Sequence, residues 1–180
     1  MLSIVIPAGE MWDETKCEFV NTKQQSLKLE HSLVSISKWE SRWCKPFLET
    51  KEKTTEEVID YVKCMTITQN VDPNVYYFLS ADNIEAINRY ISSPMTATTF
   101  SNKNRNQTNK ERVTSELIYY WMIAFNIPFE CQKWHLNRLI TLINVCSIKN
   151  QPPKKMSQRE LMSRNAAINA ARKKKYNTHG

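Results

Sequence analysis

The chain has 180 residues with 41% hydrophobic content, enough for one compact domain and an appendage. Its only two glycines, Gly9 and Gly180, exclude a glycine-rich phosphate loop and disfavour folds built on tight glycine hairpins. The net charge of +7 is unevenly spread: residues 149–180 hold nine Lys/Arg and one acid, Glu160, whereas the rest is near neutral. Such asymmetry points to an acidic partner for the C-terminal segment, whether nucleic acid, protein or membrane surface.

Taken in chain order, the opening "LSIVIP" reads as a short strand stopped by Pro7 and Gly9. After a polar turn "CEFV" reads as another, and "SLKLEHSL" alternates Leu27, Leu29 and His31 with polar residues at period two. These predict a small antiparallel sheet. The start has no basic region before its short apolar run, so no signal peptide is expected. Five widely spaced cysteines, an odd number, then read as free thiols of a cytosolic protein. No run approaches the roughly 20 apolar residues of a membrane span.

Helical spacing follows. "SLVSISKWESRW" places Leu33, Ile36, Trp39 or Glu40, and Trp43 on one side. In "TTEEVIDYVKCM", Thr54 and Glu57 form a capping box ahead of a Val58, Tyr61, Val62, Met65 stripe. "SADNIEAINRYI" starts at Ser80, carries Ile84, Ile87 and Ile91, and stops at Ser93-Pro94. The polar run 101–110 predicts a loop, and Thr108 with Glu111 a second capping box. In the following "RVTSELIYYWMIAF", Val113, Leu117, Trp121, Ala124 and Phe125 share one face, widened by Ile118, Met122 and Ile123. This predicts the central buried helix. The three-residue break "NIP" predicts an antiparallel hairpin with a helix over "FECQKWHLNRLITLINVCSI". Pro152-Pro153 then predicts a hinge. A capping box of Ser157 and Glu160 opens a weakly amphipathic helix to about Lys174, with Leu161 and Ile168 seven apart beside Met162, Ala166 and Ala170. The fold class is therefore mainly α with a small N-terminal antiparallel β element (α+β): a helical body over 1–150 and a hinged basic C-terminal helix and tail over 151–180.

Chemistry-bearing patterns are sparse. Cys131 and His135 are spaced i, i+4 on the predicted helix, half of a zinc site, but no second close pair completes four ligands. The same two residues as a nucleophilic pair lack an orienting third group. Asp13-Glu14 and Glu56-Glu57 fall at a turn and a helix start, where capping and solvation are the ordinary roles. The expectation is no enzyme, no cofactor and no metal. Trp39, Trp43, Trp121, Trp134 and the Tyr76-Tyr77-Phe78 run read as core packing. Aromatics in the body and charge in the tail argue against a base-stacking platform.

Arg159, Arg164, Arg172, Lys173, Lys174 and Lys175 can neutralise phosphates, but Leu161, Met162 and Ile168 on the same helix suit a protein partner better. "KWHLNRL" (Lys133–Leu139) and "NAAINAARKKK" (Asn165–Lys175), together with "SLVSISKWESRWCKPF", resemble tail assembly chaperones of long-tailed, siphovirus-like bacteriophages over about two thirds of the chain. That resemblance implies a non-enzymatic helical protein of the host cytoplasm that binds the tape-measure protein during tail assembly and is absent from the finished particle. It implies no catalytic residue. Partner-binding surface is then expected around Trp134, Leu136, Leu161, Met162 and Ile168, with self-association open. Two alternatives stand: a structural part of the virion, such as a head–tail connector or baseplate component, or a DNA-binding phage protein such as a small packaging subunit.

Overall fold

In a computed structural model, which describes residues 1–13, 17–100, 112–151 and 157–177, the chain begins with two antiparallel ribbons. β1 (Leu2–Ile6) pairs with β4 (Gln25–Leu29), and β2 (Gly9–Asp13) pairs with β3 (Glu18–Thr22). In the first ribbon Ile4 lies opposite Leu27, and Ile4, Ile6, Leu27 and Leu29 all turn inward at period two. β2 corrects the sequence reading, which put only a polar turn before "CEFV". Trp12 lies opposite Phe19 with ring centroids 4.9 Å apart, and this cross-strand aromatic pair stabilises a ribbon whose residues look weak singly. The left-handed residue leading into β3 is Cys17, at φ 52°, so glycine scarcity is no bar to a ribbon here. Gly9 is needed for close approach instead, because a Cβ there would collide with the Phe78 ring.

α1 (Leu33–Trp43) is capped reciprocally by Ser32 and Ser35 and buries Leu33, Ile36, Trp39 and Glu40. α2 (Thr55–Met65) has the expected Thr54–Glu57 capping box. The two helices pack together, and the Trp39 indole N–H donates to the Glu57 carbonyl at 2.9 Å. A 3-10 turn over Pro73–Phe78, capped by Asp72, buries Val75 and Tyr76 but leaves Tyr77 exposed. α3 (Ala81–Ser92), capped by Ser80, packs on β1.

α4 spans Ser115–Ala124 and takes its cap from Thr114. Thr108 and Glu111 lie outside the described residues, as does the 101–110 segment. α4 is not the central helix that its composition suggests. It rests on α1 through Ser115, Ile118 and Met122, while Tyr120 and Ile123 stand 63% and 60% exposed. A helix apolar on most sides has no unique face for packing to select, and here a buried carboxylate decides. Glu40 accepts the Ser115 N–H at 2.7 Å and the Phe47 N–H at 2.8 Å, docking the positive end of α4 on α1. The second arm of the expected hairpin is also broken. Phe129–Lys133 is a 3-10 turn, Trp134 is extended, and α5 runs Leu136–Asn150, burying Leu136, Leu139 and Ile143. The cause is tertiary: His135 bridges to Ser32, and the Leu136 N–H donates to the His31 carbonyl at 2.8 Å.

The chain divides into two compact units, Met1–Ser147 and Ile148–Gly180, the boundary falling within α5. The second contains α6 (Gln158–Tyr176), with the expected Ser157–Glu160 capping box; Pro152 and Pro153 are outside the described residues. The fold is thus mainly helical with a small N-terminal antiparallel β element.

Two substitutions check this assembly by urea denaturation. Gly9→Ala forces the Phe78 ring aside and should destabilise the body by about 2 kcal/mol. Glu40→Ala leaves two buried N–H groups without their acceptor and should cost about 3 kcal/mol.

Candidate functional site

α6 is the most exposed element. Among its described residues none is buried, and Leu161, Met162, Ile168 and Tyr176 all stand open, Met162 at 66%. The helix forms from local rules alone. Ser157 Oγ accepts the Glu160 N–H, Glu160 returns the bond to the Ser157 N–H at 2.9 Å, alanines fill the middle, and Lys173–Lys175 complement the dipole in the last turn. Asn177 closes it in the left-handed conformation at φ 49°. The expected amphipathicity is corrected: the apolar side chains do not collect on one face. At about 100° per residue, Ile168 falls within about 20° of Leu161, but Arg172 and Asn165 fall on that same side, with Arg164 next to it. α6 therefore presents a mixed apolar and cationic surface. Its described basic residues, Arg159, Arg164, Arg172, Lys173, Lys174 and Lys175, are all exposed.

The other expected partner residues belong to the first unit. Leu136 is a correction: at 1% exposed it is core, with its N–H committed to His31, and it offers no surface. The apolar spacing that marked it marks the inside of α5. Trp134 is half-buried, with the Arg138 guanidinium 4.1 Å from its ring centroid, a stacked cation–π pair at the surface. The apolar surface that sequence reading missed is on α4 and the turn after it: Tyr120, Ile123 and Phe129. Their signal was an all-round apolar helix, which reads equally as a core element.

Cys131 and His135 do not share an α-helical face, because the chain is 3-10 at one and extended at the other. Burial raises the Cys131 thiol pKa, which disfavours the thiolate that a ligand or nucleophile needs. Both His135 ring nitrogens are engaged: Nε2–H donates to the Tyr90 carbonyl at 3.1 Å, and Nδ1 accepts the Asn137 N–H at 3.3 Å. These partners fix a neutral ring. Among the described residues no group of three His, Cys, Asp or Glu side chains is placed to hold a metal ion.

Instead, His135 belongs to a buried polar cluster. Its ring meets that of His31 edge-on at 5.1 Å, and His31 Nδ1 shares a hydrogen bond of 2.5 Å with the Tyr61 hydroxyl. The Ser35 hydroxyl lies 3.4 Å from Tyr61 and donates to the Ser32 carbonyl at 2.7 Å. Burial, aided by the neighbouring His135, pushes the His31 pKa down to about 3, and burial lowers His135 as well. Burial likewise raises the Tyr61 phenol, so the cluster is neutral and holds its members in place. Glu57 behaves oppositely: its bonds to Lys45 and to the Thr54 N–H hold its carboxyl below the usual range.

No family model, curated protein or solved structure matches the chain. No helix among the described residues is long and apolar enough to cross a membrane.

The two histidines set an acid response. Each is neutral in the fold but takes a proton near pH 6.5 when unfolded, so stability is full above that value and falls as pH drops. The unfolding free energy should decline by up to about 1.4 kcal/mol per pH unit per histidine. Between pH 6.5 and the onset of carboxylate titration near 4.5, His31→Gln should show a slope smaller by one proton in urea titrations.

Proposed function

We propose that this protein is a non-enzymatic tail assembly chaperone of a long-tailed bacteriophage, acting in the host cytoplasm and binding the tape-measure protein through α6. The family reading rests on the resemblance in Lys133–Leu139 and Asn165–Lys175. The observation that carries the site is α6 itself: a capped helix of 19 residues with no buried side chain. In proteins most helical stability comes from packing, and docking α6 on a partner would supply the burial it lacks. Arg164 and Arg172 beside Leu161 and Ile168 suit a helical partner that alternates apolar and acidic residues. A chain of that kind needs cover until the tail tube forms around it.

A second reading rests on the exposed run Arg172–Lys175. This run can neutralise about four phosphates, which would give binding without sequence preference and with a steep salt dependence. A structural place in the virion is the third reading, and it predicts a fixed copy number in particles.

Co-expression with the tape-measure protein encoded beside it should yield a co-purifying complex. Met162→Glu with Ile168→Glu, both at exposed positions, should weaken that complex about tenfold or more. Mass spectrometry of purified particles should find the chain absent; stoichiometric presence would favour the structural reading. A duplex mobility shift that survives physiological salt, and is lost in Lys173→Glu/Lys175→Glu, would favour the DNA reading.

A further inference from the structure

The body leaves an apolar groove between α2 and α3. α3 packs on β1, while α2 packs on α1 and on the 3-10 turn, so the two helices flank a gap instead of closing on each other. The gap consists of two cavities of about 370 Å³ and 350 Å³. They meet over a saddle of Lys53, Val58 and Ile84, which line both. Phe47, Tyr61, Val62 and Ile87 line the first cavity, and Ile59, Tyr76, Tyr77 and Leu79 the second. Interiors pack without voids of this size, and Ile84 is left 38% exposed at the saddle.

Charge identifies what fits. The charged side chains lining the groove are Lys51 and Lys53, with no carboxylate among the lining residues. The Lys53 ammonium is drawn in over the Phe47 ring, 4.3 Å from its centroid, and donates to the Phe47 and Thr50 carbonyls at 3.0 Å and 2.6 Å. These carbonyls engage two of the three donors an ammonium carries, and the Glu57 carboxylate also acts on its charge from outside the lining. Thr55, the first residue of α2, lines the second cavity, bringing the positive end of that helix to the same wall.

We propose that this groove binds an amphipathic helix of another protein, its apolar side chains filling the two cavities and a carboxylate on its flank pairing with Lys53 and Lys51. Two cavities divided by a saddle match side chains from successive turns of one helix, whereas a single alkyl chain fills one and leaves the other open. A second copy presenting the same groove brings lysines against lysines. The groove is lined by residues of the first unit, and the proposal does not depend on the function proposed for α6.

The probe is a fluorescently labelled synthetic helix of about five turns with leucines on one face and glutamates on its flanks, titrated into the full chain by anisotropy. A twin with lysine in place of every glutamate serves as control. The acidic peptide should saturate and the basic twin should bind about tenfold more weakly. Ile84→Glu should weaken binding about tenfold, and Lys53→Met should weaken it about threefold and erase the preference over the twin. Asn88→Glu, at an exposed position on the wall of the first cavity, adds repulsion on a side chain that no packing requires and should also weaken binding. Lys173→Glu/Lys175→Glu on α6 should leave peptide binding unchanged, which separates this site from the tail. Equal binding of the two peptides overturns the proposal, as does indifference to both Ile84→Glu and Asn88→Glu. Saturable binding of oleate with no peptide binding overturns it in favour of a lipid-like ligand.

Discussion

The body is assembled around three residues, Glu30 to Ser32, where the strand β4 hands over to α1. The Glu30 N–H donates to the Met65 carbonyl at the end of α2, and the His31 carbonyl accepts the Leu136 N–H at the start of α5. Ser32 caps α1 and bridges to His135. The His31 side chain, fully enclosed, bonds Tyr61 of α2 and meets the His135 ring edge-on. Two elements distant in sequence, α2 and α5, are therefore tied to the short extended segment that joins β4 to α1. Several polar groups buried there have partners from other elements, so displacing α2 or α5 leaves some of them unsatisfied. Burial disfavours a charge on either ring, although the Glu30 carboxylate partly offsets this at His135, so the junction is most stable with both rings neutral.

A second buried polar group extends this arrangement outward. Glu40 reaches from α1 to the backbone of two segments, Phe47 and Ser115, and so sets both the turn after α1 and the docking of α4. Around these two anchors the apolar core is ordinary: Leu27, Leu29, Leu33, Ile36, Trp39, Ile118, Met122 and Leu139 fill it. The directional bonds choose which faces meet, and burial of apolar area supplies most of the driving force.

What the core does not use is informative about function. α6 buries nothing, α4 turns Tyr120 and Ile123 to solvent, and α2 and α3 stand apart over an apolar groove edged by lysine. Exposed apolar surface is common, but contiguous patches rimmed by one sign of charge mark recognition more often than chance.

Elements with local signals are legible from the residues alone. Capping boxes at Thr54 and Ser157, the Ser80 cap and the period-two alternation of Leu27 and Leu29 all place structure correctly, because a cap or a pleat is satisfied within a few residues of itself; His31 lies beyond the end of β4. The concentration of cations after Lys149 is likewise legible without a fold. Where a pattern has two equivalent solutions, long-range contacts make the choice. Leu136 reads as a candidate surface residue until α5 turns it inward, and α4 is apolar on so many sides that Glu40, 75 positions from Ser115, chooses the buried one. The helix expected through Cys131 and His135 breaks because a backbone pairing with His31 and Ser32, about a hundred residues earlier, outweighs local helical propensity. The groove between α2 and α3 has no sequence signature at all, since it consists of space left where two helices each found a better neighbour.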